Sequence, residues 1–281
     1  MAEPWRPLVG KVALVTGAGR GLGYGIARAL GRAGARVCLT DLDSGELARA
    51  GEAVRDDGSE ALALPLDVSD QAAFQQTVTA LVGRWGRLDT VVHAAILMPL
   101  IRFADTSDEL WWRQLHVSLG GLYNATRAAW GVMAAQGGGH IIGVASGSSV
   151  RGYRDEVAYC TAKHAQEGFM KALALESGPV GIAVNSIGPG APIKPTGISW
   201  AELEALPPDQ RAAWADPVEL GRAFAWLAAQ PPARFSGLRF DAGPIVQTID
   251  AEGPDFAFAP EKVTLYTDDF VARQRWMADS R

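Results

Sequence analysis

The sequence predicts an α/β fold: a doubly wound parallel sheet of about seven strands with helices on both faces. Three observations lead there. Short β-prone runs alternate with helical apolar periodicity along the whole 281-residue chain. The first run feeds a glycine-rich turn that opens a helix. Residues able to bind or react with a ligand then fall repeatedly at the carboxyl ends of the runs. Strand-helix-strand units connect right-handed, so this alternation covers a parallel sheet on both faces. Ligands of such sheets sit at the strand carboxyl ends, at the switch point. Strands are expected near 11–16, 36–40, 61–66, 88–93, 139–145, 181–187 and 236–241.

The first unit begins with Val12-Ala13-Leu14-Val15-Thr16, followed by Gly17-Ala18-Gly19-Arg20-Gly21-Leu22-Gly23. A helical pattern carrying Ile26, Leu30 and Ala33 comes next and stops at Gly34. Glycines let the backbone turn tightly and approach a pyrophosphate, whose charge the helix N-terminus favours. A glycine spacing alone would mean only a flexible turn; strand and helix around it make it a nucleotide site. The second strand, Arg36 to Thr40, delivers Asp41, about twenty residues past the glycines, where a ribose hydroxyl pair is held. Its carboxylate accepts from those hydroxyls and repels a 2′-phosphate. Arg20 pulls the other way, but Leu42 and Asp43 add no basic charge, so NAD is expected in preference to NADP.

Later units place the remaining chemistry. The third strand leads to Asp67-Val68, and the fourth to His93-Ala94-Ala95-Ile96. A long helix is expected over about 107–135, and Ser146 falls at the end of the fifth strand. A helix over about 158–177 carries Tyr159 and Lys163. Four residues apart, they share one face, so the ammonium can sit beside the phenol. A free phenol titrates near ~10, and a nearby cation favours the phenolate. A Ser hydroxyl can orient the same substrate oxygen, which makes a proton-transfer device for an alcohol or carbonyl. Alone, such a pair is more often a surface helix pair; the company of the other motifs changes the reading.

The chain resembles the short-chain dehydrogenase/reductase family from about Gly10 to about Val246, and that family has a Rossmann fold. Thr16-Gly17 with Gly21 and Gly23, Asp67-Val68, Ser146 with Tyr159 and Lys163, Asn185-Ser186-Ile187-Gly188-Pro189-Gly190 and Asp241-Ala242-Gly243 match its motifs in order. The resemblance implies hydride transfer between a nicotinamide cofactor and a secondary alcohol or ketone. Ser146, Tyr159, Lys163 and Ser118 are then the catalytic positions. Cofactor contacts are implied for Gly17, Arg20, Gly21, Leu22, Gly23, Asp41, Leu42, Asp67 and Val68. They are implied further along for Ala94, Ala95, Val117, Tyr159, Lys163, Pro189, Gly190 and Pro192. Two departures stand out. His93-Ala94-Ala95-Ile96 replaces the usual Asn-Asn-Ala-Gly, and Ser118 replaces the Asn that supports a proton-relay water. A lone His beside apolar strand residues is most often structural. The usual Thr after Pro-Gly is not assignable, because Lys194 stands there with Thr196 two residues on. A dinucleotide-binding sensor or scaffold without turnover, or a family member acting on an imine, remains an alternative.

Residues 1–248 are expected to form one catalytic domain, with 190–216 as its substrate lid, broken by Pro192, Pro195, Pro207 and Pro208. Leu97, Met98, Val150, Tyr153, Ile193 and Trp200 are expected to line an apolar pocket suited to an alicyclic, aromatic or steroid-like alcohol more than a sugar acid. Residues 249–281 carry Phe256, Phe258, Tyr266, Phe270 and Trp276, so this extension is expected to pack on the domain or on a neighbouring subunit. Surplus apolar side chains on the two long helices, with the family resemblance, imply a homotetramer or homodimer. The net charge of −5 without a basic run argues against nucleic acid and membrane partners. Two cysteines give no disulfide framework or metal spacing, and no metal is expected. Without a basic-then-apolar leader, a cytoplasmic location is expected.

Overall fold

The structure is a computed structural model that describes residues 5–195 and 198–259. Seven parallel strands form its sheet: β1 Val12–Thr16, β2 Arg36–Asp41, β3 Ala61–Pro65, β4 Thr90–His93, β5 Gly139–Val144, β6 Ile182–Gly188 and β7 Arg239–Asp241. Their order is β3-β2-β1-β4-β5-β6-β7, with every pairing parallel. The order reverses between β1 and β4, so a crevice opens past Thr16 and His93, which are register partners.

Period-two alternation explains how the strands hold both faces. Ala13 and Val15 point into one core with Ile26, Leu30 and Phe224. Val12 and Leu14 point into the other with Phe74, Leu122 and Met133. The first face is covered by α1 (Gly21–Arg32), α2 (Ser44–Asp56) and α9 (Pro217–Ala228). On the second lie α3 (Gln71–Trp85), α5 (Gly121–Ala135) and α6 (Val157–Ser177). Each fully buried Leu or Phe there contributes roughly 1.5–3 kcal/mol. Helices α1 and α9 cross so closely that a Cβ at Gly221 would lie 2.6 Å from the Gly25 carbonyl oxygen.

The expected long helix is interrupted. After α4 (Asp108–Leu115) the chain makes one wider π turn, His116–Gly120, before α5. Helices α7 (Trp200–Ala205) and α8 (Pro208–Arg211) lie beyond β6, and α10 (Ala242–Glu252) runs across the 248/249 boundary. Phe256 and Phe258 fold back onto Trp226, Phe235 and Phe240. Thr196, Tyr266, Phe270, Trp276 and the side chain of Trp200 lie outside the described residues. Among the described residues no helix is long and apolar enough to cross a membrane. Cys38 and Cys160 are both free and buried.

Candidate active site

A cavity of about 740 Å³ opens at the strand carboxyl ends. One half is built by the turn after β1. Gly17 has φ +62°, and a Cβ there would lie 2.7 Å from the Ala95 Cα, so a glycine is what lets this turn press against the one after β4. At Gly21 (φ +58°) a Cβ would meet nothing within 4 Å, and the turn is open toward the cavity. The N-terminus of α1 faces the same space, with no side-chain cap from Arg20, so its N–H groups are available to an anion. Asp41 accepts from the Gly19 N–H (2.9 Å) and the Asp43 N–H (3.2 Å) and keeps lone pairs for hydroxyl donors. Turn, helix end and acid together fit a dinucleotide.

Arg20, Leu22, Gly23, Leu42, Val68, Ala94, Val117 and Pro189 also line this cavity; Gly190, Pro192 and Ser118 do not. Asp67 lines it too, but is already engaged. Arg113 on α4 donates to its carboxylate and to the Ser69 hydroxyl, each at 2.8 Å. Burial opposes the Asp67 charge, yet the Ser69 and Arg113 hydrogen bonds outweigh it and hold the carboxyl below its ordinary range. Nothing in the sequence pattern marks Arg113, because the contact spans 46 positions.

The second half of the cavity brings Ser146, Tyr159 and Lys163 together. Ser146 lies two residues past β5 in extended backbone; its hydroxyl accepts from the Ser148 N–H at 3.2 Å and shares the cavity with the Tyr159 phenol. Burial pushes that phenol up to about 12, against the lowering influence of Ser146 and with the help of Glu156 and Cys160. Lys163 lies 5.6 Å from the Tyr159 ring centre and donates to the Val144 carbonyl at 2.6 Å. Burial brings its ammonium down to about 7, with Glu167 opposing and Arg239 assisting. Against the expectation that Lys163 lowers the phenol, desolvation is the first cause at both groups, raising the phenol and lowering the ammonium. Behind them Arg239, 1% exposed, donates to the Ser146 carbonyl at 3.2 Å and pairs with Asp241 and Glu167.

The departures at His93 and Ser118 resolve into one network. Thr16 Oγ1 accepts from the N–H groups of Ala94 (3.2 Å) and Ala95 (3.3 Å), which fills both its lone pairs. Its proton must therefore go to His93 Nδ1, 3.0 Å away, which assigns the other tautomer. His93 Nε2–H then donates to the Ser118 carbonyl at 2.9 Å, where Gln166 donates as well. Burial, aided by the Lys163 charge, lowers His93 to about 3, so it stays neutral. The Ser118 hydroxyl is fully buried and has no hydrogen-bond partner among the described residues; its carbonyl, set in the π turn, is what joins the network.

The outer wall is apolar: Ile96, Leu97, Met98, Leu100 and Ile193 line it, whereas Val150 and Tyr153 do not. Lys194 lines the cavity and donates to the Ile198 carbonyl at 2.6 Å. One polar group on this side, Glu156, was not foreseen. Its signal was its place three residues before Tyr159, on the same helical face.

A crevice-bound dinucleotide cradle joined to a Ser-Tyr-Lys cluster defines an oxidoreductase class. The family model for short chain dehydrogenase matches residues 11–204, and the chain belongs to that family. It is 34% identical over 248 residues to a D-threitol dehydrogenase of Mycolicibacterium smegmatis, covering 82% of this chain and 90% of that one. A metagenomic short-chain oxidoreductase solved in complex with NADP is 28% identical, with TM-score 0.71, covering 83% and 98% of the two chains. Carveol dehydrogenase from Mycobacterium avium, solved in complex with NAD, shares the fold with TM-score 0.74 at 24% identity, covering 84% and 96%.

Proposed function

We propose that the protein is an NAD-dependent oxidoreductase that interconverts a secondary alcohol and its ketone, with Tyr159 as acid and base. The observation that carries this reading is the placing of Ser146, Tyr159 and Lys163 in one cavity with the glycine turn and Asp41. Bound NAD would supply the hydride acceptor. The residues that would hold it are the first turn of α1, Asp41 at a ribose, and Lys163. Asp41 is also the reason for preferring NAD: its carboxylate accepts from hydroxyls and repels a 2′-phosphate.

Ser146 and Tyr159 would together hold the substrate oxygen, since both line the same cavity. With its proton held at ordinary pH, Tyr159 is the donor to a ketone oxygen; in the reverse direction its phenolate takes the carbinol proton. Lys163, anchored on Val144, is the cation that stabilises that phenolate. Ser118 contributes the frame of the site through its carbonyl.

The test mixes protein with NAD and a panel of secondary alcohols and follows NADH absorbance. Tyr159→Phe is expected to lose at least about two orders of magnitude in turnover, a usual size for general acid-base loss. NAD binding, measured by titration, should change little. Near-normal turnover in that variant would overturn the assignment.

A further inference from the structure

Resting on the alcohol-oxidoreductase reading, we infer that Glu156 selects the substrate by accepting a second hydroxyl beside the reacting carbinol, so that vicinal diols are taken and hydroxy acids are turned away. Glu156 lines the cavity with Ser146 and Tyr159, facing a wall that is otherwise apolar. It occupies the N-cap position of α6, yet its side chain caps nothing there. The carboxylate is turned instead to Ser148, a buried residue, whose hydroxyl donates to Oε2 at 2.7 Å. Among the described residues nothing donates to Oε1, which leaves a fixed, charged acceptor for a ligand.

The backbone is strained to put it there. Asp155, immediately before, has φ +63° and is the one non-glycine residue in the left-handed region among those described. Such strain persists only where surroundings enforce it, and it clusters at ligand sites. The enforcing contact is the Ile101 N–H on the Asp155 carbonyl at 2.9 Å, which pins the turn to the end of the apolar wall. The Ser146 hydroxyl accepts from Ser148 while Ser148 donates to Glu156, so the two substrate-facing groups are held in one hydrogen-bonded frame. One helical turn separates Glu156 from Tyr159, the spacing of neighbouring side chains. With Ser146 and Tyr159 on the carbinol oxygen, the group that meets Oε1 lies one or two carbons away. A hydroxyl there gains a charge-assisted hydrogen bond; a carboxylate there meets like charge.

The experiment compares kcat/KM for cyclohexanol, trans-1,2-cyclohexanediol and trans-2-hydroxycyclohexanecarboxylate with NAD, in wild type, Glu156→Ala and Glu156→Gln. Wild type should favour the diol over cyclohexanol by at least about ten-fold, as expected for a hydrogen bond to a charged group, and should disfavour the hydroxy acid. Glu156→Ala should bring the diol-to-cyclohexanol ratio close to one, and Glu156→Gln should raise hydroxy-acid use relative to cyclohexanol. A wild-type ratio near one, or a ratio that survives Glu156→Ala, overturns the inference while leaving the oxidoreductase reading standing. No NADH from any alcohol of this or the wider panel removes both.

Discussion

At the scale of single residues, one acceptor and two histidines carry separate consequences. Asp41 sits where its carboxylate receives the Gly19 and Asp43 N–H groups, while Arg20 and Lys194 stand close enough for their charges to interact. Asp41→Ala removes the hydroxyl acceptor and the repulsion of a 2′-phosphate, and leaves the cations to attract one. Titration of both cofactors should show NAD bound more tightly by wild type and the NADP-to-NAD ratio raised in the variant. Tighter NADP binding by wild type would refute the NAD assignment. The histidines report on stability. His93 is lowered to about 3 and His140 to about 4, burial being the first cause in both, from an ordinary 6.5. Both are depressed on folding, so below pH 6.5 the unfolded chain binds more protons and stability falls as pH falls. At pH 5, one and a half units down at about 1.4 kcal/mol per unit, each costs about 2 kcal/mol. Denaturant unfolding at pH 7 and pH 5 should show a loss of about 4 kcal/mol, which His93→Asn should roughly halve.

Among the elements, the crossing of α1 and α9 links packing to the site. A side chain at Gly221 would enter 2.8 Å from the Ala29 Cβ and 2.6 Å from the Gly25 carbonyl, so α9 would have to move. Its first residue, Pro217, and the preceding Ala215 line the cavity, and α1 begins at the glycine turn. Gly221→Val is therefore expected to cost about 1–3 kcal/mol through overpacking. It should also weaken NAD binding. A lowered Tm with unchanged NAD affinity would show that the two ends of α9 are uncoupled. The π turn between α4 and α5 is a second such device. It takes backbone groups out of the ordinary helical pattern, and the Ser118 carbonyl within it receives His93 from β4 and Gln166 from α6. Three elements meet at one oxygen behind the reacting groups.

Across the whole molecule, the chain beyond the last strand closes the first core. Trp226 stacks on Phe256 with ring centres 5.0 Å apart, and its indole N–H donates to the Pro254 carbonyl at 2.9 Å. Phe258 lies 4.6 Å from Phe235, centre to centre. Phe256 is only 4% exposed and belongs to the first core. Phe256→Ala should cost about 3–5 kcal/mol, as large aromatic truncations in cores do. Chemical denaturation measures it, and a loss under 1 kcal/mol would mean that this segment merely rests on the surface. Trp112, Tyr123 and Leu175 remain exposed on α4, α5 and α6, the surface on which we propose that a second copy docks. Sedimentation of the intact protein tests that, a monomer at micromolar concentration being the contrary result.

What the sequence determined is what local chemistry determines: where strands, turns and helices fall, and which residues stand at strand ends. Val12–Thr16 and Gly139–Val144 lie within one residue of their expected bounds, because short apolar β-branched runs between glycines admit little else. The spacing of Tyr159 and Lys163 and the position of Asp41 were legible for the same reason: a helix or strand carries fixed geometry along the chain. The tertiary structure decided whatever depends on burial and on partners far apart in sequence. No local pattern shows that a phenol and an ammonium would both be desolvated until burial dominated the protonation of each. Nor does one show that Asp67 would be taken by Arg113, or that His93 would be locked neutral between Thr16 and Ser118. Glu156 stands between the two cases. Its helical face could be read from spacing, but the turn of its carboxylate toward Ser148 and the cavity is set by the strained Asp155 backbone and the contact from Ile101. Desolvation and long-range hydrogen bonding act only once the chain has folded, and they set the protonation and pairing of the site.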